Sequence, residues 1–177
     1  CNRTDHGHGE GDGLYEHYMG YYKLLKRIRE KYPEVFLENC SSGGLRVDLG
    51  VLRNTHRTYL SDPDYTEHHL QVFWGATTML HPSVCMHFTW SQSLYEKNMV
   101  KEPIAEDMPQ HRLDYYIRAA MMGYPGFSYR LPELPAWCLQ RIKEHIEFYK
   151  NIGSRFVRDG DMYHLTCQSV RSGRGER

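Results

Sequence analysis

The chain has 177 residues, and its 22 basic and 22 acidic side chains give a formal net charge of zero at neutral pH. This balance provides no electrostatic attraction to nucleic acid, and no stretch reaches the roughly 20 apolar residues that a membrane helix requires. The five cysteines lack CxxC or CxxH spacing, so the sequence predicts no disulfide framework and no zinc site, and it favours reduced thiols in the cytoplasm.

Helical and strand-like patterns alternate along the chain. In order, the sequence predicts a helix over 14–32, a strand over 34–37, a short helix over 50–53, a strand over 56–60, a helix over 66–80, a strand over 84–88 that leads into Trp90, a helix over 113–121, a strand over 126–129 and a helix over 135–149. Such alternation predicts parallel strands joined by crossover helices. Four of these units are half of a (β/α)8 TIM barrel, which usually needs about 250 residues. We therefore expect an α/β fold that contains part of such a barrel.

Polar and reactive side chains follow three of the predicted strands, where α/β barrels place their chemistry. Asp62 is the candidate proton shuttle, because cleavage of an acetal needs one carboxyl group that donates and accepts a proton and a second that acts as nucleophile or activates water. The alternative is an Asx turn, in which Asp62 only caps the next helix. Asp64 fits a helix cap better than a catalytic role. The polar residues at the ends of the three strands are Glu38 with Cys40, Asp62 with Asp64, and His87 with Trp90.

Three other chemistries remain open on the residues alone. Glu38 could be the nucleophile that works with Asp62, which would complete a carboxylate pair within the chain. Cys40 could be a nucleophile, although a cysteine enzyme also needs a histidine base and an orienting partner, and no signature of one is present. His6 and His8, together with Asp5 and Glu10, have the residue types of a metal site but not the helical spacing of a typical one.

Three segments resemble the family 36 glycoside hydrolases, the α-galactosidases of the melibiase superfamily. Residues 38–50 follow the pattern E-x-C-x-S-G-G-x-R-x-D-x-G, residues 59–64 form a strand ending in S-D, and residues 71–75 read Gln-Val-Phe-Trp-Gly. The resemblance implies the second half of the catalytic barrel, strands 5–8 with their helices, over residues 1–160. It also implies that 161–177 begin the junction to a C-terminal β-sandwich.

The resemblance further implies a retaining hydrolase of terminal α-linked galactose that works without a metal or cofactor through a covalent galactosyl-enzyme and two aspartates. Asp62 matches the general acid/base. The expected substrate-binding residues are Cys40, Ser42, Gly43, Arg46, His69 and Trp90, and Arg46 is expected to brace the loop together with Asp48. The implied partners are α-galactoside oligosaccharides, with no nucleic acid and no membrane.

The chain departs from the family pattern in two places. The K-x-D-x-N-like motif that holds the family's nucleophilic aspartate is absent, so we expect that residue upstream of Cys1 and no turnover by this chain alone. In the pattern S-D-x-x-D-A-x-x-R, Tyr65 replaces the second Asp and His69 replaces the Arg. Half of a barrel also leaves unpaired strand edges, which predicts self-association. A non-catalytic sugar-binding fragment and a metal-dependent hydrolase are the alternative functions.

Overall fold

The computed structural model describes residues 5, 7, 9, 11–62, 66–91, 106–128 and 130–168. The chain divides into two compact units, Cys1–Thr58 and Tyr59–Arg177. The first unit contains helix α1 (Asp12–Lys31), strand β1 (Glu38–Asn39), helix α2 (Leu49–Leu52) and most of strand β2 (Arg57–Tyr59). The second contains α3 (Thr66–Ala76), β3 (Cys85–Ser91), α4 (Gln110–Ala120), β4 (Tyr124–Ser128), α5 (Ala136–Phe148) and α6 (Ser154–Asp159).

The first unit pairs β1 with β2 in parallel, with Glu38 opposite Arg57 and Asn39 opposite Thr58. The predicted strand over 34–37 is wrong, because the strand begins only at Glu38. A turn follows α1, closed by a 3.1 Å hydrogen bond from the Val35 N–H to the Tyr32 carbonyl. Phe36 is 52% exposed and stacks on the His56 ring at 4.8 Å between centroids. The apolar run therefore lines a turn and does not enter a core strand.

The second unit has strand contacts of its own. The Leu60 N–H donates to the Met86 carbonyl at 3.2 Å, and β3 pairs in parallel with β4, with Met86 opposite Tyr124. The hydrogen-bonded order of the strands follows their order in the chain. Parallel strands alternating with helices confirm the predicted α/β class and form part of a (β/α)8 barrel.

Two apolar clusters form the core of the second unit. One packs Leu60 from the end of β2 against Phe73 of α3 and Cys85 of β3. Gly123 lies beside this cluster, where an added Cβ would approach the Cys85 carbonyl oxygen at 2.6 Å, so only glycine fits. The other cluster joins α4 to α5 through Leu113, Ile117, Leu134, Cys138 and Ile142. The first cluster holds α3 against β3, and the second holds α4 against α5.

A charged cluster also joins α4 to α5. Asp114 is 8% exposed and accepts two hydrogen bonds from the Arg141 guanidinium, at 2.5 and 2.7 Å. His145 lies 2.9 Å from the same carboxylate. The bonds from Arg141, supported by His145, lower the pKa of Asp114 to about 2, although burial acts in the opposite direction. The two helices are therefore held together by a bidentate ion pair between Arg141 and Asp114 as well as by apolar contacts.

The remaining predicted elements are confirmed to within a few residues, although α3 ends at Ala76 and β3 extends to Ser91. Tyr129 and residues 92–105 lie outside the described residues. Residues 161–168 contain no helix or strand and lie along α3, where the Trp74 indole donates to the Thr166 carbonyl at 3.2 Å. The division into a barrel over 1–160 and a junction over 161–177 stays a prediction.

Candidate active site

A buried asparagine organises the turn that follows β1. Asn39 is 1% exposed, and its side-chain N–H groups donate to the Arg46 carbonyl at 2.6 Å and to the Thr58 hydroxyl at 3.0 Å. One bond spans the glycine-rich segment, and the other ties the end of β1 to β2. Leaving a buried amide without its hydrogen bonds would destabilise the fold. The two bonds of Asn39 therefore hold this segment in one conformation.

The turn itself uses left-handed backbone. Ser42 has a φ of 46° and Gly43 a φ of 73°. The Ser41 N–H donates to the Gly43 carbonyl at 3.0 Å, and the Leu45 N–H donates to the Ser41 carbonyl at 3.3 Å. Glycine adopts this conformation without steric cost, whereas serine does so less readily. Gly43 is buried, while the side chains of Cys40 and Ser42 are exposed and accessible to a ligand.

Arg46 lies over aromatic rings of α1. Its guanidinium carbon is 5.1 Å from the centroid of the Tyr21 ring and 5.9 Å from that of Tyr18. Such cation–π contacts are worth about 0.5–1 kcal/mol at exposed sites and more when desolvated. The arginine therefore attaches the loop to the helix, as expected for a bracing residue, and a contact with sugar stays a prediction.

Asp48 and Gly50 complete the same attachment. The Asp48 carboxylate accepts hydrogen bonds from the Tyr22 hydroxyl and from the Val51 N–H at the start of α2, both at 2.9 Å. An added Cβ on Gly50 would lie 2.6 Å from the Tyr22 ring. The Arg, Asp and Gly of the motif R-x-D-x-G thus all meet tyrosines of α1.

Asp62 follows the end of β2. Leu60 makes the last strand-to-strand bond that the described residues show, and Asp62 is exposed two residues later. Between them, the Ser61 hydroxyl lies 2.8 Å from Nε2 of His68 on α3. Residues 63–65 lie outside the described residues, so the predicted helix cap at Asp64 is untested. The aspartate thus has the position that the sequence predicts, after a strand and open to solvent.

His69 belongs to a buried stack of rings. It is 2% exposed, and its ring lies 3.6 Å from that of His87, with the two planes 14° apart. The Tyr59 ring also stacks with that of His87, with 6.0 Å between the centroids and 16° between the planes. Nε2 of His69 lies 3.2 Å from the Ala119 carbonyl, which can only accept, so this nitrogen carries the hydrogen. In the described part of the chain, Nδ1 of His69 and both ring nitrogens of His87 lack a hydrogen-bond partner.

Burial keeps both imidazoles neutral. It lowers the pKa of His69 to about 4, and burial together with the neighbouring His69 and His68 lowers the pKa of His87 to about 2. A side chain that is 2% exposed presents almost no surface to a ligand, so the structure gives no support to a substrate contact by His69.

Other predicted site residues lie partly beyond the description. Trp90 is in β3, but its side chain is outside the described part, as are His6, His8 and Glu10 of the possible metal site. Within residues 5, 7, 9, 11–62, 66–91, 106–128 and 130–168, no group of three His, Cys, Asp or Glu side chains could hold a metal ion. No described helix is long and apolar enough to cross a membrane.

The sequence did not reveal His68 as a partner of Ser61. The two residues are seven positions apart in sequence, and no motif marks their contact. The only available signal was the pair of adjacent histidines at the start of a predicted helix, which must point in different directions.

The sequence model of the Melibiase family matches residues 2–159. The α-galactosidase Mel36A of Lactobacillus acidophilus is 32% identical over 160 residues, which are 90% of this chain and 20% of that protein. The bifunctional α-galactosidase/sucrose kinase AgaSK of Mediterraneibacter gnavus is 30% identical over 162 residues, which are 88% of this chain and 16% of that protein. The chain thus spans a fifth or less of these curated relatives.

Solved structures share the fold. The galactosidase domain of AgaSK superimposes with a TM-score of 0.69 at 22% identity, over 81% of this chain and 18% of that one. The GH36 α-galactosidase AgaA of Geobacillus stearothermophilus superimposes with a TM-score of 0.67 at 23% identity, over 80% and 18% of the two chains. With the family match over nearly all of its length, this chain belongs to the melibiase family.

Proposed function

We propose that this chain supplies the general acid/base of a retaining hydrolase that removes terminal α-linked galactose, and that Asp62 is this residue. The observation that supports the proposal is the exposed carboxylate two residues beyond the last strand bond of Leu60. It lies in the S-D segment by which the sequence resembles α-galactosidases, and the relatives that match most of this chain carry that name.

The chemistry assigned to Asp62 has two steps. As a carboxylic acid it gives its proton to the glycosidic oxygen while the bond from that oxygen to the anomeric carbon breaks and a second carboxylate attacks that carbon. As a carboxylate it then removes a proton from the water that releases galactose from the covalent ester, which regenerates the acid. The second carboxylate is expected from the K-x-D-x-N-like motif, which the 177 residues lack.

We assign α-galactoside oligosaccharides as the substrates. Solved variants of AgaA from G. stearothermophilus are in complex with raffinose and with stachyose, and both ligands are galactose-containing oligosaccharides. In this chain, the exposed Cys40 and Ser42 are available for contacts with sugar hydroxyls. A cytoplasmic location agrees with the unpaired state of the described thiols of Cys40, Cys85, Cys138 and Cys167. We also expect copies of this chain to associate through the unpaired strand edges of the partial barrel.

The test compares this chain with a version extended to the full length of its relatives, using a chromogenic α-galactoside. We expect activity only in the longer protein. In that protein, Asp62→Ala should lower turnover about 10²–10⁴-fold, as expected when a general acid/base is lost. Asp161→Asn removes another exposed carboxylate from the same unit and should leave turnover unchanged.

Azide distinguishes the role of Asp62 from a loss of folding. In Asp62→Ala, a galactosyl-enzyme formed from an activated aryl galactoside waits for water without a base, and azide needs no base to attack it. Added azide should therefore restore turnover and yield α-galactosyl azide. Full activity of Asp62→Ala would refute the assignment.

Other outcomes identify the alternatives. Activity of this chain alone would direct attention to Glu38 as the nucleophile, tested by Glu38→Gln. A rise in melting temperature with galactose, without hydrolysis by either protein, would favour a non-catalytic sugar-binding function.

A further inference from the structure

The contact between Ser61 and His68 fixes the backbone directly before Asp62. Leu60 makes the last described bond of β2 to its neighbour, through the Met86 carbonyl. Ser61 is half-buried, and its hydroxyl lies 2.8 Å from Nε2 of His68, which is within the usual range for a hydrogen bond between nitrogen and oxygen. This bond is the next attachment along the chain, one residue before the carboxylate.

The helix that carries His68 is itself firmly held. On α3, the neighbouring Thr66, His69 and Phe73 are each no more than 2% exposed. Phe73 packs with Leu60 and Cys85, and His69 bonds the Ala119 carbonyl. The backbone of His68 is therefore held in place by the packing of α3, and its bond to Ser61 restrains that residue as well.

We propose that His68 is a positioning residue that acts through Ser61 to hold Asp62 in line with the glycosidic oxygen. The inference rests on the proposed function, because it needs Asp62 to be the acid/base. Proton transfer depends on hydrogen-bond distance, and a misplacement of about 1 Å can lower a rate about 100-fold. His68 itself exchanges no proton with the substrate.

The leaving group provides a readout that a purely structural role would not change. A dinitrophenolate departs without a proton, whereas the alcohol of raffinose needs one. When Asp62 is poorly placed, hydrolysis of raffinose should fall while formation of the galactosyl-enzyme from a dinitrophenyl galactoside proceeds. General loss of folded protein would lower both rates equally.

The variants are made in the full-length protein. His68→Ala removes the acceptor or donor at Nε2, and Ser61→Ala removes its partner, whereas His68→Gln keeps a hydrogen-bonding group at a similar distance. Ser83→Ala is the matched control, because its hydroxyl lies 2.8 Å from Nδ1 of His81 in an exposed pair elsewhere in the same unit.

We expect His68→Ala and Ser61→Ala each to lower kcat for raffinose about tenfold or more, with a small change in KM. The rate of galactosyl-enzyme formation from the dinitrophenyl substrate should change less than threefold. The double variant should lose little more than either single variant, because both single variants remove the same bond between Ser61 and His68. His68→Gln should recover most of the activity, and Ser83→Ala should match the unaltered protein. Equal losses for both substrates, or no loss in His68→Ala, would overturn the inference.

Crystal structures test the positioning without activity. Asp62 should be displaced or spread over several conformations in His68→Ala and unchanged in His68→Gln. A single unchanged conformation in both variants would refute the positioning role even if the protein is not a hydrolase. If the unaltered protein is inactive towards every α-galactoside, the proposed function fails. If it is active and sensitive to Asp62→Ala but not to His68→Ala, only this inference fails.

Discussion

Replacing His87 with phenylalanine should weaken the dependence of the second unit's stability on pH between 7 and 5. His87 and His69 are each 2% exposed and stack at 3.6 Å. Their ordinary pKa of 6.5 is lowered to about 2 and about 4, chiefly by burial. Both rings are therefore neutral in the folded state at pH 5 and largely protonated in the unfolded state.

The direction and magnitude of the change in stability with pH follow from this difference in protonation between the folded and unfolded states. Between pH 6.5 and 4 the unfolded state binds more protons, so stability is greatest above about 6.5 and falls as the pH decreases. Each histidine should cost about 1.4 kcal/mol per pH unit below 6.5, or about 2 kcal/mol at pH 5. His87→Phe should remove about half of the combined loss of roughly 4 kcal/mol, since His69 still titrates.

The stack itself should survive the substitution. Phenylalanine retains a flat ring beside Tyr59 and His69, and it removes two ring nitrogens that have no partner in the described part of the chain. At pH 7 we therefore expect stability equal to or above that of the unaltered chain.

Urea unfolding followed by tryptophan fluorescence provides the assay, because all three tryptophans, Trp74, Trp90 and Trp137, belong to the second unit. The control is His111→Phe, which replaces an exposed histidine of the same unit. The pH range stays above that in which Asp114 titrates. A pH slope in His87→Phe equal to that of the control would refute the reasoning.

Three further substitutions test the structural bonds within the two units. In Asn39→Asp, a carboxylate oxygen cannot donate to the Arg46 carbonyl, and we expect a loss of about 2–3 kcal/mol, measured by hydrogen exchange over 38–58. Thr58→Val keeps the bond from Asn39 to the Arg46 carbonyl and should cost about 1 kcal/mol; equal effects would contradict this ranking. Asp114→Asn should cost roughly 1–3 kcal/mol in the second unit, less than a fully buried pair, because the Arg141 side chain is 24% exposed. The contribution of Asp114 is present above pH 3.8 and decreases as the pH falls towards 2, so the unaltered chain and Asp114→Asn should converge in stability near that pH.

The sequence was informative where structure depends on local pattern. Apolar spacing at three and four residues identified the helices, because one side of each must be buried. The same reasoning failed at Val35 and Phe36, which form an apolar run but lie in a turn, with Phe36 against His56. A local pattern does not distinguish side chains that cover a neighbouring ring from those that enter the core.

The candidate site shows the same limit. The position of Asp62 after a strand could be predicted because strand ends in this type of fold are defined by the chain itself. The bond from Ser61 to His68 and the stack of His69 on His87 depend on how α3 is rotated against β3. That rotation is set by contacts between residues far apart in sequence, such as Phe73 with Cys85.

The attachment of Arg46, Asp48 and Gly50 to tyrosines of α1 affects how sequence searches and redesign should treat this motif. A match to R-x-D-x-G therefore carries information about how this loop is attached to a helix, through the Arg46, Asp48 and Gly50 contacts with tyrosines. Substitutions at the exposed Cys40 and Ser42 leave these contacts with α1 in place. Any enlargement of Gly50 should be paired with a smaller residue at Tyr22, because the two occupy one space.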